Sequence, residues 1–158
     1  MVGSKPPLNE VLEILRSRKQ KLAFAESCTG GLLSATVTSL PGVSDVFLGS
    51  VVSYANEVKV DLLKVAKDSL MNEGAVSERV ALEMAHGAQK QLKSDWAVAI
   101  TGVAGPSGGS SKKPVGTVWF AIVGPEIVIA ERKLFVGDRG AIRKQAVDHA
   151  ISFLKRSL

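Results

Sequence analysis

The amino-acid sequence predicts a three-layer α/β/α sandwich with a mixed, mostly parallel sheet, in one domain over residues 1–158. Two observations carry that prediction. Short β-rich apolar segments alternate with stretches of helical apolar periodicity, the pattern of strands covered by helices. One pair of strands is joined by a tight Gly124-Pro125 turn, which marks a hairpin.

The elements follow in order. Leu8, Val11, Leu12 and Leu15 recur at helical spacing, so an amphipathic helix is expected over roughly 8–19, after Pro6-Pro7. Lys21 to Ala25 reads as a short strand that runs into Glu26-Ser27-Cys28-Thr29-Gly30-Gly31, with a helix from there to about Ser39. Pro41-Gly42 is a turn, and Val46 to Ser53 a strand ending near Tyr54. Asn56 is a good N-cap for a short helix carrying Lys59, Leu62 and Leu63. Ser77 caps a longer helix to about Lys93, with Val80, Met84, Ala88 and Leu92 inward. Trp96 to Ile100 is a buried strand, Thr117 to Val123 and Ile127 to Phe135 the hairpin. Asp138 or Gly140 opens a last helix that buries Ile142, Ala146, Ala150, Ile151 and Leu154.

Composition excludes several classes. At 46% hydrophobic and 22% charged the chain is an ordinary globular one. Its longest apolar run, Val118 to Val123, is far short of the roughly 20 residues that cross a bilayer. MVGSKPPLNE has no apolar core followed by a cleavage site, so no secretory leader is read there and a cytoplasmic location is expected. Cys28 is the single cysteine, which rules out an internal disulfide. With only His86 and His149 beside it, a structural zinc site is ruled out as well. The net charge of +5 is scattered, favouring a phosphorylated small molecule over nucleic acid.

Ligands of α/β proteins bind beyond the carboxyl ends of strands. Ala25 to Gly31, Ser50 to Lys59 and Thr101 to Gly116 lie there. In the first, Thr29, Gly30 and Gly31 open a helix whose free N–H groups suit a phosphate or an oxyanion, although neither a P-loop nor a dinucleotide fingerprint is present. The plain alternative is a tight strand–helix turn. Cys28 lacks a neighbouring histidine and reads as a small buried residue. His86 falls off the apolar face of its helix, and His149 beside the apolar stripe of the last one, so neither suits a Ser-His-Asp triad. Lysine remains as the base: Lys59, near a helix start and desolvated, would lose its proton readily. Tyr54 just upstream is placed to hydrogen-bond it or relay a proton. The loop from Gly102 to Gly116 holds five glycines, two prolines, three serines and two lysines, a length and composition that point to function. Arg139, in Gly137-Asp138-Arg139, suits a phosphate.

Together these segments resemble the C-terminal domain of the CinA family, the nicotinamide mononucleotide deamidases. The matching strings are Ala25 to Gly31, Gly49 to Lys59 (GSVVSYANEVK), Gly74 to Ser77, Ile100 to Gly109 (ITGVAGPSGG), Lys113 to Trp119 (KPVGTVW) and Gly137-Asp138-Arg139, in the family's order. The separate N-terminal domain of longer members is not in the sequence, which looks like the stand-alone form. The resemblance implies metal-free, cofactor-free hydrolysis of the carboxamide of nicotinamide mononucleotide to nicotinic acid mononucleotide and ammonia, in pyridine-nucleotide salvage, and a homodimer.

Residue by residue it implies Ser27, Ser44, Tyr54, Lys59, Thr101 and Arg139. In that reading Ser44 attacks the carboxamide and Lys59, helped by Tyr54, takes its proton. Ser27 and the N–H groups near Gly30 and Gly31 hold the oxyanion or substrate. Thr29 belongs to the same substrate-binding turn, and Arg139, Thr101 and the loop glycines Gly102 and Gly105 bind phosphate and ribose. Whether Ser44 or Ser27 is the nucleophile stays open in the sequence. Two other readings are a non-catalytic nucleotide-binding module and a protein of competence or DNA damage. The second is opposed by an aromatic content of only 5% and by the lack of a basic stripe.

Overall fold

The structure is a computed structural model that describes residues 6–158. The leader reading of the first ten residues therefore begins on five that lie outside those described. Eleven regular elements follow one another: α1 (Leu8–Ser17), β1 (Leu22–Glu26), α2 (Leu32–Thr38), β2 (Phe47–Val52), α3 (Asn56–Leu63), α4 (Lys67–Glu73), α5 (Glu78–Leu92), β3 (Trp96–Gly102), β4 (Thr117–Val123), β5 (Val128–Leu134) and α6 (Arg139–Ser157). The sheet order is β2-β1-β3-β4-β5. β1 pairs in parallel with both β2 and β3, while β4 is antiparallel to β3 and β5 to β4. Four of the five strands thus run one way, as the mixed sheet expected from the sequence requires.

Alternation along the three central strands divides large from small side chains between the two faces. Phe24, Val98, Ile100, Phe120 and Ile122 face α1, α2 and α6, meeting Leu12, Leu15, Leu33, Val37, Ile142, Ala146 and Leu154. Burying each large aliphatic or aromatic side chain contributes about 1.5–3 kcal/mol. On the other face Ala25, Ala97, Ala99 and Ala121 form a flat floor, so α5 lies close with Val80, Ala81, Met84, Ala85 and Ala88. α3 crosses α5 at Gly87, where an added Cβ would lie 2.1 Å from the Leu63 carbonyl oxygen. That contact sets the position of α3, and with it Lys59.

The caps show which sequence signals were sound. Ser77 accepts from the Val80 N–H at 3.3 Å and starts α5, and Asp138 rather than Gly140 starts α6 by accepting from the Ala141 N–H at 2.8 Å. α3 corrects one expectation: Ala55 is its N-cap and Asn56 its first helical residue, because Asn56 makes no side-chain cap. The sequence reading also missed α4 and the short 3-10 turn Val43–Asp45. Their apolar spacing is too brief to register as a period. Leu92 is only half-buried at the end of α5. No helix among the described residues is long and apolar enough to cross a membrane.

Candidate active site

The chain leaves β1 through α2 on one face, to β2, and returns to β3 through α3, α4 and α5 on the other. The carboxyl ends of β1 and β3 therefore open a crevice between diverging connections, the place where open α/β sheets bind ligands. A cavity of about 200 Å³ lies there, walled by Ser27, Cys28, Tyr54, Asn56, Lys59, Thr101, Gly102 and Arg139 and by Ala75, Val76 and Ala104.

Lys59 is its floor. The side chain is 1% exposed, and Nζ donates to Ser27 Oγ at 2.9 Å and to the carbonyls of Ser53 at 2.6 Å and Tyr54 at 3.2 Å. All three partners are neutral. Burial pushes the Lys59 ammonium below the ordinary lysine range, and no carboxylate opposes it. In the neutral amine the two carbonyls hold the two N–H bonds, which leaves the lone pair for the Ser27 hydroxyl proton. That is the relation of a general base to a serine nucleophile.

Ser44 is not part of this arrangement. It is exposed, on the 3-10 turn before β2, where Arg16 binds Asp45 Oδ2 at 2.5 Å and the Gly42 carbonyl at 3.1 Å. β2 spans six residues, about 20 Å at roughly 3.3 Å each, and Lys59 lies past its other end. Lys59 makes no contact with Ser44; Ser27 is the serine that its ammonium touches. The reason is the direction of β2, which separates in space two residues only fifteen apart in the chain.

The helix start at Thr29, Gly30 and Gly31 is also corrected as a ligand site. Its anion is the protein's own Glu26. This fully buried carboxylate accepts from the N–H groups of Leu33 at 2.8 Å and Ser34 at 3.2 Å, from Thr29 Oγ1 at 2.8 Å, from Ser50 Oγ at 3.1 Å and from the Ser34 hydroxyl. Thr29 thus turns inward, and Gly30 and Gly31, at φ +58° and +100°, make the tight turn and do not line the cavity.

The remaining assignments divide. Thr101 is 1% exposed and lines the cavity, donating its hydroxyl to the Ala75 carbonyl at 2.9 Å, so its lone pairs stay available to a ligand. Gly102 lines it too, and an added Cβ there would lie 2.8 Å from the Thr117 carbonyl oxygen. Gly105 does not line it; its carbonyl accepts from Arg139 at 2.8 Å. Arg139 also donates to the Tyr54 hydroxyl at 2.9 Å, and so closes one side of the mouth. The Tyr54 ring is mostly exposed and its hydroxyl serves Arg139, which leaves its main-chain carbonyl as the group that touches Lys59. Cys28 is buried, and burial pushes its thiol up to about 11, so it stays protonated at neutral pH. His86 is exposed, and His149 binds Glu131 among Phe120, Phe135 and Phe153, away from the cavity.

Sequence reading gave no site role to Glu26, Asn56, Ala75, Val76, Ala104 or Arg143, although Glu26, Asn56 and Ala104 fall inside the three segments expected to bind a ligand. The signal for Glu26 is a carboxylate just ahead of a helix start, where the free N–H groups and the helix dipole favour an acidic side chain.

The comparisons with known proteins bear on the family and the fold. The model of the CinA C-terminal domain matches residues 5–158. A CinA-like protein of Synechococcus sp. (strain RCC307) is 52% identical over 150 residues, 94% of this chain and 36% of that protein. One of Fervidobacterium nodosum is 48% identical over 148 residues, again 94% of this chain and 36% of the relative. The chain spans about a third of the length of the curated relatives it matches. Among solved structures, the competence/damage inducible protein CihA from Agrobacterium tumefaciens superposes with a TM-score of 0.92 at 36% identity, over 94% of this chain and 92% of that one. A CinA superfamily protein from Klebsiella pneumoniae gives 0.91 at 36% identity, over 95% and 94%. With a family model that covers all but the first four residues, the chain belongs to the CinA family through its C-terminal domain.

Proposed function

We propose that this domain is an amidohydrolase that removes the carboxamide nitrogen of nicotinamide mononucleotide, with Ser27 as nucleophile and Lys59 as base. The observation that carries the reading is the buried Ser27–Lys59 pair, 2.9 Å apart at the floor of a pocket, with no histidine beside it. The substrate follows from the family resemblance and from the cations at the pocket. Arg139 has neutral partners only and lies at the mouth, where a phosphate would find it.

The chemistry balances in two halves. Ser27 Oγ attacks the carboxamide carbon while neutral Lys59 takes its proton, giving a tetrahedral oxyanion. Collapse breaks the C–N bond, and the Lys59 ammonium returns the proton to the leaving nitrogen, which departs as ammonia. Water then attacks the Ser27 ester, again with Lys59 as base, and releases the nicotinate carboxylate and the serine. Thr101, with free lone pairs, can accept from the amide NH₂ and orient it.

The test is formation of ammonia and nicotinic acid mononucleotide from nicotinamide mononucleotide, with EDTA present and nicotinamide riboside as control. Product despite EDTA, and much less from the riboside, is expected. Nucleotide binding without any product would replace this reading with a binding module.

A further inference from the structure

We infer that Arg143 is a positioning residue for the nucleophile turn, holding the peptide group that follows Ser27 so that the Cys28 N–H receives the developing oxyanion. This rests on the Ser27 reading above.

Arg143 lies one helical turn after Arg139 on α6. Its Nε donates to the Cys28 carbonyl at 3.1 Å and its Nη2 to the Thr29 carbonyl at 2.7 Å. It forms no ion pair among the described residues. A half-buried guanidinium is thus devoted to two successive carbonyls of one turn. The Cys28 carbonyl has no other donor, whereas that of Thr29 also takes the Leu32 N–H at 3.0 Å.

The two carbonyls are one end of a relay. In a planar trans peptide the C=O and the next N–H point opposite ways. The Thr29 carbonyl, held by Arg143, shares its peptide with the Gly30 N–H, which donates to the Ser27 carbonyl at 3.0 Å. The Ser27 carbonyl in turn shares its peptide with the Cys28 N–H. No backbone carbonyl and no other residue's side chain takes that N–H, which meets only Cys28's own sulfur, and Cys28 lines the cavity beside Ser27. The backbone N–H of the residue after a serine nucleophile is a recurrent oxyanion donor. Each bond of such a chain polarises the next, so a cation at the far end strengthens the last donor as well as orienting it. The Cys28 thiol reports the same field: burial raises its pKa, its own N–H draws it back most, and Arg143 comes next, ahead of Lys59 and Arg139.

The experiment follows acylation of Ser27 by a fluorophosphonate, read by intact mass, which needs nucleophile and oxyanion donor but no nucleotide. Wild type should label once and Ser27→Ala not at all. Arg143→Met should label about tenfold more slowly or worse, given that one oxyanion donor is worth about 10²–10³ in rate. Arg143→Lys should fall between, since one amine keeps the charge but cannot span both carbonyls. With nicotinamide mononucleotide, kcat should fall in Arg143→Met while KM stays within twofold. Labelling of Arg143→Met at the wild-type rate overturns this inference alone. Wild type that does not label overturns the nucleophile reading beneath it. If Arg143→Met does not fold, Arg143→Lys decides at matched melting temperature: a rate above half of wild type overturns the inference, and one below half supports it.

Discussion

Replacing Lys59 by Met separates catalysis from folding more cleanly than any other single change. Methionine keeps an unbranched apolar stem in a site where the lysine is 1% exposed, and removes only the ammonium. Three hydrogen bonds go with it, to Ser27 Oγ and to the Ser53 and Tyr54 carbonyls. Each is worth about 0.5–1.5 kcal/mol net. Against that loss, an unpaired buried cation no longer has to be desolvated, a gain of several kcal/mol. The opposed contributions leave stability changed by about 2 kcal/mol or less, some 4–8 °C in melting temperature for a domain of this size. Turnover has no such offset. General-base assistance is worth about 10²–10⁴, so kcat/KM should fall by about that factor, or roughly 3–5 kcal/mol at 1.36 kcal/mol per decade. Ammonia release from nicotinamide mononucleotide measures it. Activity within tenfold of wild type, in a folded variant, would refute the Ser27–Lys59 pair. The pH profile adds a sign. Burial lowers the Lys59 pKa, so the neutral base accumulates, and activity climbs, below the ordinary lysine range. The unfolded chain keeps that proton up to about pH 10.4. Stability should therefore rise with pH between the lowered folded value and that limit, and be flat below it; Lys59→Met should lose that slope.

Four further outcomes follow from the same geometry. Ser44→Ala should keep near-wild-type turnover and Ser27→Ala lose it, measured side by side, because Ser44 is exposed at the far end of β2. Glu26→Gln places an NH₂ against groups that all donate to the carboxylate, so it should cost about 1–3 kcal/mol, seen as a drop of several degrees in thermal melting. Gly87→Ala drives a Cβ to 2.1 Å from the Leu63 carbonyl; overpacking of this kind costs about 1–3 kcal/mol, and displacement of α3 should lower turnover as well as melting temperature. The protein should lose stability as pH falls below about 6.5, the ordinary histidine value. Burial lowers the His149 pKa against the pull of Glu131, so the unfolded state takes up the proton first. Glu131 adds to the loss lower down. Burial would raise its pKa, but the hydrogen bonds from His149 and Arg156 outweigh that and leave it lowered. His149→Phe should remove the upper step in a melting-temperature series against pH.

A neutral imidazole donating to an ionised carboxylate satisfies both directions at once, so His149–Glu131 is a hydrogen bond and the Arg156 contact at 2.9 Å supplies the cation. The cluster staples α6 to β5 at the edge of the sheet, far from the cavity.

The sequence by itself determined the layers. Helical spacing of Val11, Leu12 and Leu15, of Val80, Met84 and Ala88, and of Ile142, Ala146 and Ala150 marks faces that are in fact buried, because burial is what apolar periodicity encodes. It also drew attention to Ser27, Tyr54, Lys59, Thr101 and Arg139, all of which the fold brings to one cavity. Tertiary structure alone decided which serine faces Lys59. Ser44 is nearer to Lys59 along the chain than Ser27 is, yet β2 carries it away while the parallel pairing of β1 with β2 brings Ser27 alongside Ser53. The same holds for the helix start after β1. Its glycines look alike whether they hold a substrate or the chain's own carboxylate, and only the fold of Glu26 back onto Leu33 and Ser34 shows that the position is filled. Periodicity reports how each segment meets the core; contacts between segments depend on strand direction and order, which no local pattern contains.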